Sequence, residues 1–559
     1  MKKVIFVLVV MFTTVFYGQS SVSKDNNIED LIHIWGLVKY KHPVGSSGKF
    51  DMNEEFLKAY EQVVTIKTPQ VLNAFFLAWI NTFNDDKNLI KKEGLDKAKL
   101  FTDNAKYDWI DSPRFNDSLK QVLRDLRDNT NLKFHYAKRH KVNKMIDFLN
   151  ENKLDGYTNT NAGHRALLLS SFWNMMKYWN INLYLTDTPW DEVLTRFVPL
   201  FENTEGKEFE YTKEKLFVAL NDSHSNYEDS QYLKDNFKFY PAFNGKVVND
   251  SIVVYFLQNT AITAKEGIDV GDIIYSIDGL SVKKYLQEKV GAYVSVSNDS
   301  YLKKYYESFL FLASSKDKIT VEVKKKDGRL EKKEVSLYKF NSMYDKDKSK
   351  SLYKEQEWNL EKEIGYISLA TITRDELKKA FEKYKDTKGI IIDLRNYPQN
   401  IRPNDIAKYL LPEKKKFISI LGVHSPGYGE RNQEFPLNMI IDPFVVGGKN
   451  KNYYKGKVVL LVDGSTGSNA EFIAMAIQQS PNCITVGEQT FGAVMNRIVV
   501  PLLDGTSIDF TGNSAYYPGD EKYNVQRNGL KIDHKVSMKA THYDIYTAER
   551  LAVRLLESE

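Results

Sequence analysis

One serine of this 559-residue chain, Ser468, stands where a hydroxyl can act as a nucleophile. The apolar run 458–462 predicts a strand buried on both faces, residues 464–467 predict a turn, and residues 469–479 have helical spacing. Ser468 therefore lies at a helix N-terminus, where free N–H groups and the helix dipole stabilise developing negative charge. The alternative is an ordinary serine N-cap, which does no chemistry.

A second group of residues places hydroxyls beside an imidazole. Asp222, Ser223, His224 and Ser225 follow a helix-like segment, and imidazole is the only side chain whose unperturbed pKa lies close to neutral. Such an imidazole can act as a general acid or base. The alternative is a structural histidine, since the chain has nine.

The composition excludes several classes of function. A single cysteine, Cys483, excludes an internal disulfide framework. Because the chain also lacks a His-x-x-x-His pair, the sequence predicts no metal site and no other cofactor. The content of 42% hydrophobic and 27% charged residues is that of a globular protein, and a net charge of +5 does not indicate nucleic-acid binding.

The N-terminus has the layout of a secretory signal peptide over residues 1–19. Two lysines precede the apolar run 4–12, and a more polar stretch follows it. The apolar run is too short for a spanning helix, and no other segment is apolar enough to span a bilayer. We therefore expect an exported protein, periplasmic or secreted, with no integral membrane segment after signal removal.

Residues 20–235 predict a helical N-terminal domain that carries Ser223 and His224. The run Trp-Gly-Leu-Val-Lys-Tyr at residues 35–40 recurs in pattern as Trp-Asn-Met-Met-Lys-Tyr at residues 173–178. An aromatic-Asp pair follows each copy and opens a further amphipathic helix. The pattern suggests a duplicated helical unit.

Residues 236–340 have strand patterns separated by Gly and Asp turns. Within them, residues 267–279 (Gly-Ile-Asp-Val-Gly-Asp-Ile-Ile-Tyr-Ser-Ile-Asp-Gly) resemble the signature of a PDZ domain. That resemblance implies binding of an extended peptide or C-terminus by strand addition at a sheet edge, and the alternative is a small β-barrel without a ligand. Residues 341–356 have the composition of a linker, and residues 357–559 alternate strands with helices, which indicates an α/β core.

Several of these motifs together resemble the S41 serine peptidases, which include the C-terminal processing peptidases and tricorn. They are Gly-Ser-Thr-Gly-Ser-Asn-Ala-Glu at residues 464–471, Gly-Glu-Gln-Thr-Phe-Gly at 487–492, a strand ending in Asp-Leu-Arg at 393–395, and the preceding PDZ-like module. The resemblance runs from about Asp222 to the C-terminus. It implies a multidomain α/β fold with a crotonase-like, ClpP-like core, peptide or protein substrates, and Ser468 as nucleophile.

Residue 493 distinguishes between two mechanisms that occur in that family. Processing peptidases pair the serine with a lysine directly after the Phe-Gly of the second motif, and this chain has Ala493 there. The tricorn-like branch instead uses a histidine from a segment before the core, with a neighbouring serine and a distant glutamate. The resemblance therefore implies His224 as general base and Ser223 as its companion.

Two positions depart from the family pattern. Relatives carry a Glu where this chain has Gln526, so either an uncharged partner or a re-registered one such as Glu521 is expected. Relatives also have paired glycines after the Asp-Leu-Arg strand, where this chain has Pro-Gln-Asn at residues 398–400. Backbone N–H groups of Gln399 and Asn469 can still form the oxyanion hole, since the donor is the main chain.

These observations predict an exported serine endopeptidase that cleaves peptides or unfolded proteins through a Ser468 acyl-enzyme. The alternative, suggested by Gln526 and the substituted glycines, is a catalytically impaired S41-like protein that binds peptides or serves as a scaffold. The sequence leaves the substrate preference and the oligomeric state open.

Overall fold

The computed structural model describes residues 22–84, 100–129, 135–140, 144–352, 363–431 and 442–558. The predicted signal peptide at residues 1–19 lies outside these described residues. Among the helices of the described part, none combines the length and the apolar character needed to cross a membrane.

The first third of the chain is helical, as its periodicity predicts. Its elements are α1 (Lys24–Lys41), α2 (Met52–Val63), α3 (Pro69–Asn81), α4 (Asp117–Arg127), the strand pair β1 (Ala137–Arg139) and β2 (Ile146–Phe148), α5 (Ala162–Trp179), α6 (Trp190–Asn203), α7 (Gly206–Val218) and α8 (Gln231–Asn236). Most of these helices begin at a polar side chain that accepts a hydrogen bond from the first helical turn. The capping residues are Ser23, Asp51, Thr68, Asn116, Asn161 and Ser230.

The two copies of the repeated sequence pattern occupy equivalent positions. Trp35 on α1 donates its indole N–H to the carbonyl of Met52, the first residue of α2, over 2.7 Å. Trp173 on α5 donates in the same way to Trp190, the first residue of α6, over 2.9 Å. Because α1 and α5 also pack against each other, the structure supports a duplicated helical unit.

The next region is rich in strands. It contains β3 (Phe239–Tyr240), β4 (Phe243–Val248), β5 (Ser251–Leu257), α9 (Thr260–Glu266), β6 (Ile273–Ile277), β7 (Leu280–Ser281), α10 (Val282–Tyr285), α11 (Asp299–Tyr305), β8 (Lys318–Lys324), β9 (Leu330–Ser336), β10 (Tyr338–Lys339) and β11 (Lys350–Ser351). The main sheet has the order β11-β5-β6-β8-β9, with β4 on β5 and β7 on β6. Since β11 pairs with β5, the chain still belongs to this sheet at residue 351, inside the predicted linker 341–356.

The last region is the predicted α/β core. It contains β12 (Ile364–Ser368), α12 (Arg374–Lys383), β13 (Gly389–Asp393), α13 (Pro403–Leu410), β14 (Lys415–Lys416), β15 (Ser419–Ser425), β16 (Tyr428–Arg431), β17 (Val445–Val446), β18 (Lys457–Val462), α14 (Asn469–Ile477), β19 (Cys483–Gly487), β20 (Arg497–Pro501), β21 (Ser507–Thr511), β22 (Ser514–Tyr517), β23 (Asp520–Asn524), α15 (Val525–Asn528), β24 (His534–Lys535) and α16 (Thr547–Glu557).

The central sheet of this core is parallel, with the order β12-β13-β18-β19-β24. Strand β18 explains the continuous apolar run, because it is covered on both faces. Leu460 packs into the cluster that contains α13 and α14, and Leu461 packs into the cluster that contains α16 on the opposite face. The buried strand predicted before Ser468 is confirmed.

A hairpin joins the core to the helical region. Strands β20 and β21 pair with each other, and their inward residues Ile498, Val500, Ile508 and Phe510 lie in the same hydrophobic cluster as α1 to α7. The helical region and this hairpin therefore share one core. This packing brings the loop after α7 against the α/β region.

Candidate active site

Ser468 lies between the end of β18 and the start of α14. Its backbone has φ 53° and ψ −119°, a conformation that side-chain-bearing residues rarely adopt. Its side chain makes no capping hydrogen bond to the helix. The ordinary N-cap interpretation is therefore wrong, and the half-buried hydroxyl is held at a sharp strand-to-helix turn of the kind that presents nucleophiles.

The turn before Ser468 is fixed by side chains of its own sequence. Thr466 donates its hydroxyl to the carbonyl of Leu394 at the end of β13, over 2.9 Å. Gly467 has no side chain because a Cβ there would lie 2.4 Å from Cγ of Phe491. The Ser468 N–H donates to the carbonyl of Ala493 over 3.2 Å, which anchors the backbone of the serine.

His224 lies in the loop after α7 and is buried. Its ring Nδ1 is 2.9 Å from the hydroxyl of Thr511 at the end of β21, and its backbone N–H donates to Asp222. Burial lowers the pKa of His224 below its usual 6.5, and the nearby Asp222 partly opposes that change. The imidazole is therefore neutral at pH 7, which is the state that a general base requires.

Phe491 lies near both His224 and the turn that precedes Ser468. Its ring centroid lies 5.5 Å from that of His224, and its side chain lies against Gly467. Within the described residues no hydrogen bond joins the Ser468 hydroxyl to His224, which is common for catalytic pairs without substrate. The structure thus brings His224 and the turn that carries Ser468 to one aromatic side chain.

Ser223 contacts the backbone of Phe491 rather than the imidazole of His224. Its hydroxyl donates to the carbonyl of Phe491 over 3.0 Å and accepts the N–H of Ser297 over 2.9 Å. Ser223 therefore ties the helical region, the strand-rich region and the core together at this point. It holds His224 and Phe491 in register.

Gln526 lies in the same network but does not contact the histidine. Its Nε2 amide donates to Asp222 Oδ1 over 3.1 Å, and its buried Oε1 has no partner among the described residues. Glu521, the alternative partner, lies on the surface and pairs with Arg431 at 3.3 Å. The carboxylate closest to His224 in this network is that of Asp222.

Of the two backbone N–H groups predicted to form an oxyanion hole, one is free of an acceptor within its helix and the other already donates a hydrogen bond. Asn469 is the first residue of α14, so its backbone N–H has no acceptor within the helix. The N–H of Gln399 donates to the carbonyl of Ala370 over 3.3 Å. Gln399 can therefore serve an oxyanion only after this contact opens.

Comparison with known proteins identifies the family that the last third of the chain resembles. The model of peptidase family S41 matches residues 363–536, which include β18, Ser468 and α14. A carboxyl-terminal-processing protease of Synechocystis sp. is 27% identical over 180 residues, which are 31% of this chain and 38% of that protein. The carboxy-terminal processing protease CtpA of Bacillus subtilis is 28% identical over 191 residues, which are 34% of this chain and 37% of that protein.

Residues 363–536 form a peptidase family S41 domain. The predicted resemblance is confirmed. The chain spans less than two fifths of the length of these two curated relatives. A solved structure of mature CPAF complexed with lactacystin has the same fold, with a TM-score of 0.52 and 12% identity over 71% of this chain and 97% of that one.

The S41 domain contains Ser468, Gln399 and Gln526, whereas His224 and Ser223 lie outside it. Ala493, at the position where processing peptidases carry lysine, is fully buried and its backbone lies beside Ser468. A methyl group at this position offers no amine to the serine.

Glu471 of the S41 domain is a buried carboxyl that the sequence argument did not assign. It accepts the hydroxyl of Thr490 over 2.6 Å and the N–H groups of Gly492 and Ala493 over 2.8 and 3.1 Å. Burial raises its pKa to about 7, although these hydrogen bonds oppose the rise. Its signal in the sequence is the Ser-x-x-Glu spacing from Ser468.

Sequence patterns also assign no role to Asp222 and Thr511. Asp222 belongs to the same Asp-Ser-His-Ser run as His224, but Thr511 follows His224 by 287 residues and no motif marks its position. In the described ranges no group of three His, Cys, Asp or Glu residues is arranged to hold a metal ion.

Proposed function

We propose that this chain is an exported serine endopeptidase that cleaves peptides or unfolded proteins through an acyl-enzyme on Ser468, with His224 as general base. The observation that carries the proposal is Ser468 itself. It lies at a helix N-terminus of an S41 domain, its backbone is strained, and its side chain makes no capping hydrogen bond. The same proposal includes a crotonase-like, ClpP-like core, which a parallel sheet with helices on both faces supports.

The first step transfers one proton and forms one bond. His224 Nε2 takes the hydroxyl proton of Ser468 as Oγ attacks the carbonyl carbon of the scissile peptide bond. The carbonyl electrons move onto oxygen, and the Asn469 N–H with the positive end of α14 stabilises that charge. When the C–N bond breaks, the imidazolium gives its proton to the leaving amine.

The second step releases the product. Water loses a proton to the neutral His224 and attacks the acyl carbon, and Ser468 leaves with the proton that the imidazolium returns. The burial that lowers the histidine pKa keeps it ready for both transfers at neutral pH.

The strand-rich region is proposed to be a PDZ domain that holds the substrate by strand addition. Strand β4 supports this role, because it pairs with β5 along one edge only. The other edge of β4, where Glu307 accepts the N–H of Val247, borders a cleft of about 220 Å³ between this region and the S41 domain. Val247 of β4 and Gly464, close to Ser468 in sequence, both line the cleft.

A fluorophosphonate probe tests the nucleophile directly. We expect the probe to label the intact protein at Ser468, and labelling to be lost in Ser468→Ala and strongly reduced in His224→Ala. Ser465→Ala is the matched control, because it removes a hydroxyl from the same turn. Labelling of Ser468→Ala at the rate of the parent would refute the assignment.

A non-catalytic peptide-binding or scaffold protein is the second candidate. Two observations favour it: Gln526 supplies no charge, and the Gln399 N–H is already bonded to Ala370. Binding of an unfolded polypeptide by a protein whose Ser468 never reacts with the probe would favour this candidate.

Export belongs to the same proposal and has its own test. Expression of the full chain in a bacterial host, followed by fractionation and N-terminal sequencing, is expected to find a shortened chain outside the cytoplasm. An intact Met1 in the cytoplasmic fraction would contradict export.

A further inference from the structure

The neighbours of His224 decide which of its ring nitrogens carries the proton. Nδ1 lies 2.9 Å from the hydroxyl oxygen of Thr511, and that oxygen lies 2.7 Å from Asp222 Oδ1. The three side chains form a continuous row of hydrogen bonds. All three are buried, with 6%, 0% and 3% of the surface of His224, Thr511 and Asp222 exposed, so water does not replace these contacts.

Asp222 can only accept in this row. Besides the hydroxyl, its oxygens receive the backbone N–H groups of His224 and Thr511 at 3.0 and 2.6 Å and the amide of Gln526 at 3.1 Å. N–H groups donate and a carboxylate has no proton to give. The single hydroxyl proton of Thr511 therefore points to Asp222.

The direction of the remaining hydrogen bond follows. The Thr511 oxygen has already used its proton, so it accepts from His224, and Nδ1 must carry the hydrogen. The other ring nitrogen, Nε2, is then unprotonated. That is the tautomer in which Nε2 can take a proton from a serine hydroxyl.

We infer that Thr511 and Asp222 are positioning residues that hold His224 in the Nε2-basic tautomer and stabilise its imidazolium form through the threonine hydroxyl. The inference rests on the proposed function of Ser468 and His224. It also accounts for Gln526, whose uncharged amide contacts Asp222 instead of the ring. The negative charge opposite the imidazole comes from the histidine's own segment, two residues earlier.

The arrangement needs all parts of the fold. Asp222 and His224 come from the helical region, and Ser295 of the strand-rich region accepts the Asp222 N–H over 3.0 Å. Thr511 comes from the hairpin that packs against the helices. The row of hydrogen bonds forms only when these regions are assembled.

Nitrogen NMR of the full chain tests the tautomer without relying on activity. With ¹⁵N-labelled histidine, protonated and unprotonated ring nitrogens resonate far apart, and a His224→Gln spectrum identifies the His224 signals among the nine histidines. We expect Nδ1–H in the parent and in Thr511→Ser, and a mixture of tautomers in Thr511→Val. Thr506→Val makes the same substitution elsewhere in the hairpin connection and should leave the signals unchanged.

The rate of fluorophosphonate labelling at Ser468 provides the second measurement. We expect Thr511→Val to slow labelling on the order of 10²-fold, Thr511→Ser to restore it, and Asp222→Asn to slow it as well. An unprotonated Nδ1 in the parent, or an unchanged tautomer and rate in Thr511→Val, would overturn the inference. If the tautomer changes as expected in Thr511→Val while Ser468 never reacts with the probe, the inferred role of Thr511 and Asp222 stands and the peptidase proposal fails.

Discussion

At the scale of single residues, Ser468 shows how backbone strain and an accessible hydroxyl occur together. A side-chain-bearing residue with positive φ costs on the order of 1 to 3 kcal/mol, and the contacts of Thr466, Gly467 and Ala493 keep it in place. An ordinary N-cap would lie in the extended region and bond to its helix. The strain thus separates the two interpretations that the sequence left open.

This strain predicts which of two variants that lack the Ser468 hydroxyl is more stable. Both Ser468→Gly and Ser468→Ala lack the hydroxyl, but glycine adopts φ 53° and ψ −119° without a steric penalty. We expect the glycine variant to be more stable by about 1 kcal/mol, since its greater freedom in the unfolded chain offsets part of the gain. Urea unfolding of both variants measures the difference, and an alanine variant of equal or higher stability would contradict it.

Glu471 predicts a pH dependence of folding. Its pKa is about 7 in the folded protein and 4.5 for a free side chain. Between these values the unfolded chain has lost a proton that the folded chain keeps, so the stability present below pH 4.5 declines as pH rises to about 7. The loss is ~3 kcal/mol.

Glu471→Gln removes this titration, so the free energies of unfolding at pH 5 and pH 7.5 should differ less in the variant than in the parent. Glu521→Gln makes the same change of side chain on the surface and serves as the control. An unchanged difference between the two pH values in Glu471→Gln would show that this carboxyl does not cause the dependence.

The sequence predicted part of this site for physical reasons. A reactive serine needs a strand, a turn and a helix that are contiguous in the chain, so Ser468 could be recognised locally. The contact between His224 and Thr511 depends on a hairpin whose strands have no chemical signature. Gln526 was expected beside the histidine because the family pattern carries a charge there, but an amide donor is drawn to the Asp222 carboxylate instead.

At the scale of elements, strand β4 and the helical segment beginning with α11 meet at an occupied edge. Glu307, which follows α11, accepts the outward N–H of Val247 on β4 over 2.7 Å. Lys246 lies 3.4 Å from Glu307 and 3.7 Å from Glu488 of the S41 domain, so the ammonium group of Lys246 links the two regions. A side-chain carboxylate thus holds the place that a peptide carbonyl would take in strand addition.

Removal of this carboxylate should therefore favour peptide binding. In a Ser468→Ala background, which prevents cleavage, we expect Glu307→Ala to bind an unstructured fluorescent peptide on the order of 5-fold more tightly, because Val247 regains a free donor. Glu307→Gln keeps an oxygen at that donor and should bind like the parent. Fluorescence anisotropy measures both, and weaker binding by the alanine variant would argue against strand addition at β4.

Element boundaries show a further limit of sequence patterns. The polar composition of residues 341–356 predicted a linker, yet Lys350 and Ser351 pair with the end of β5. Backbone hydrogen bonds form this contact, and side-chain composition carries little information about them. Strand β18, by contrast, was predictable because burial on both faces requires a continuous apolar run.

At the scale of the whole molecule, one hydrophobic core joins the helical region to a hairpin of the S41 domain. The β20–β21 hairpin contributes to the cluster formed by α1 to α7, and its last residue, Thr511, contacts His224. The S41 domain alone lacks His224, so the proposed site is complete only when the helical region packs against the hairpin. Stability of this packing and reactivity of Ser468 should therefore change together.

Phe510 provides the test, because it is fully buried in the shared core and precedes Thr511. We expect Phe510→Ala to lower the free energy of unfolding by about 3 to 5 kcal/mol, as for other large-to-small changes in a core. Labelling of Ser468 should also slow in molecules that remain folded, since the cavity lets the hairpin end move away from His224. Val499→Ala, in the same hairpin but 58% exposed, should change neither quantity appreciably. Urea unfolding and probe labelling of both variants decide the point: a destabilised Phe510→Ala protein that still reacts at the parental rate would mean that the shared core does not position the histidine.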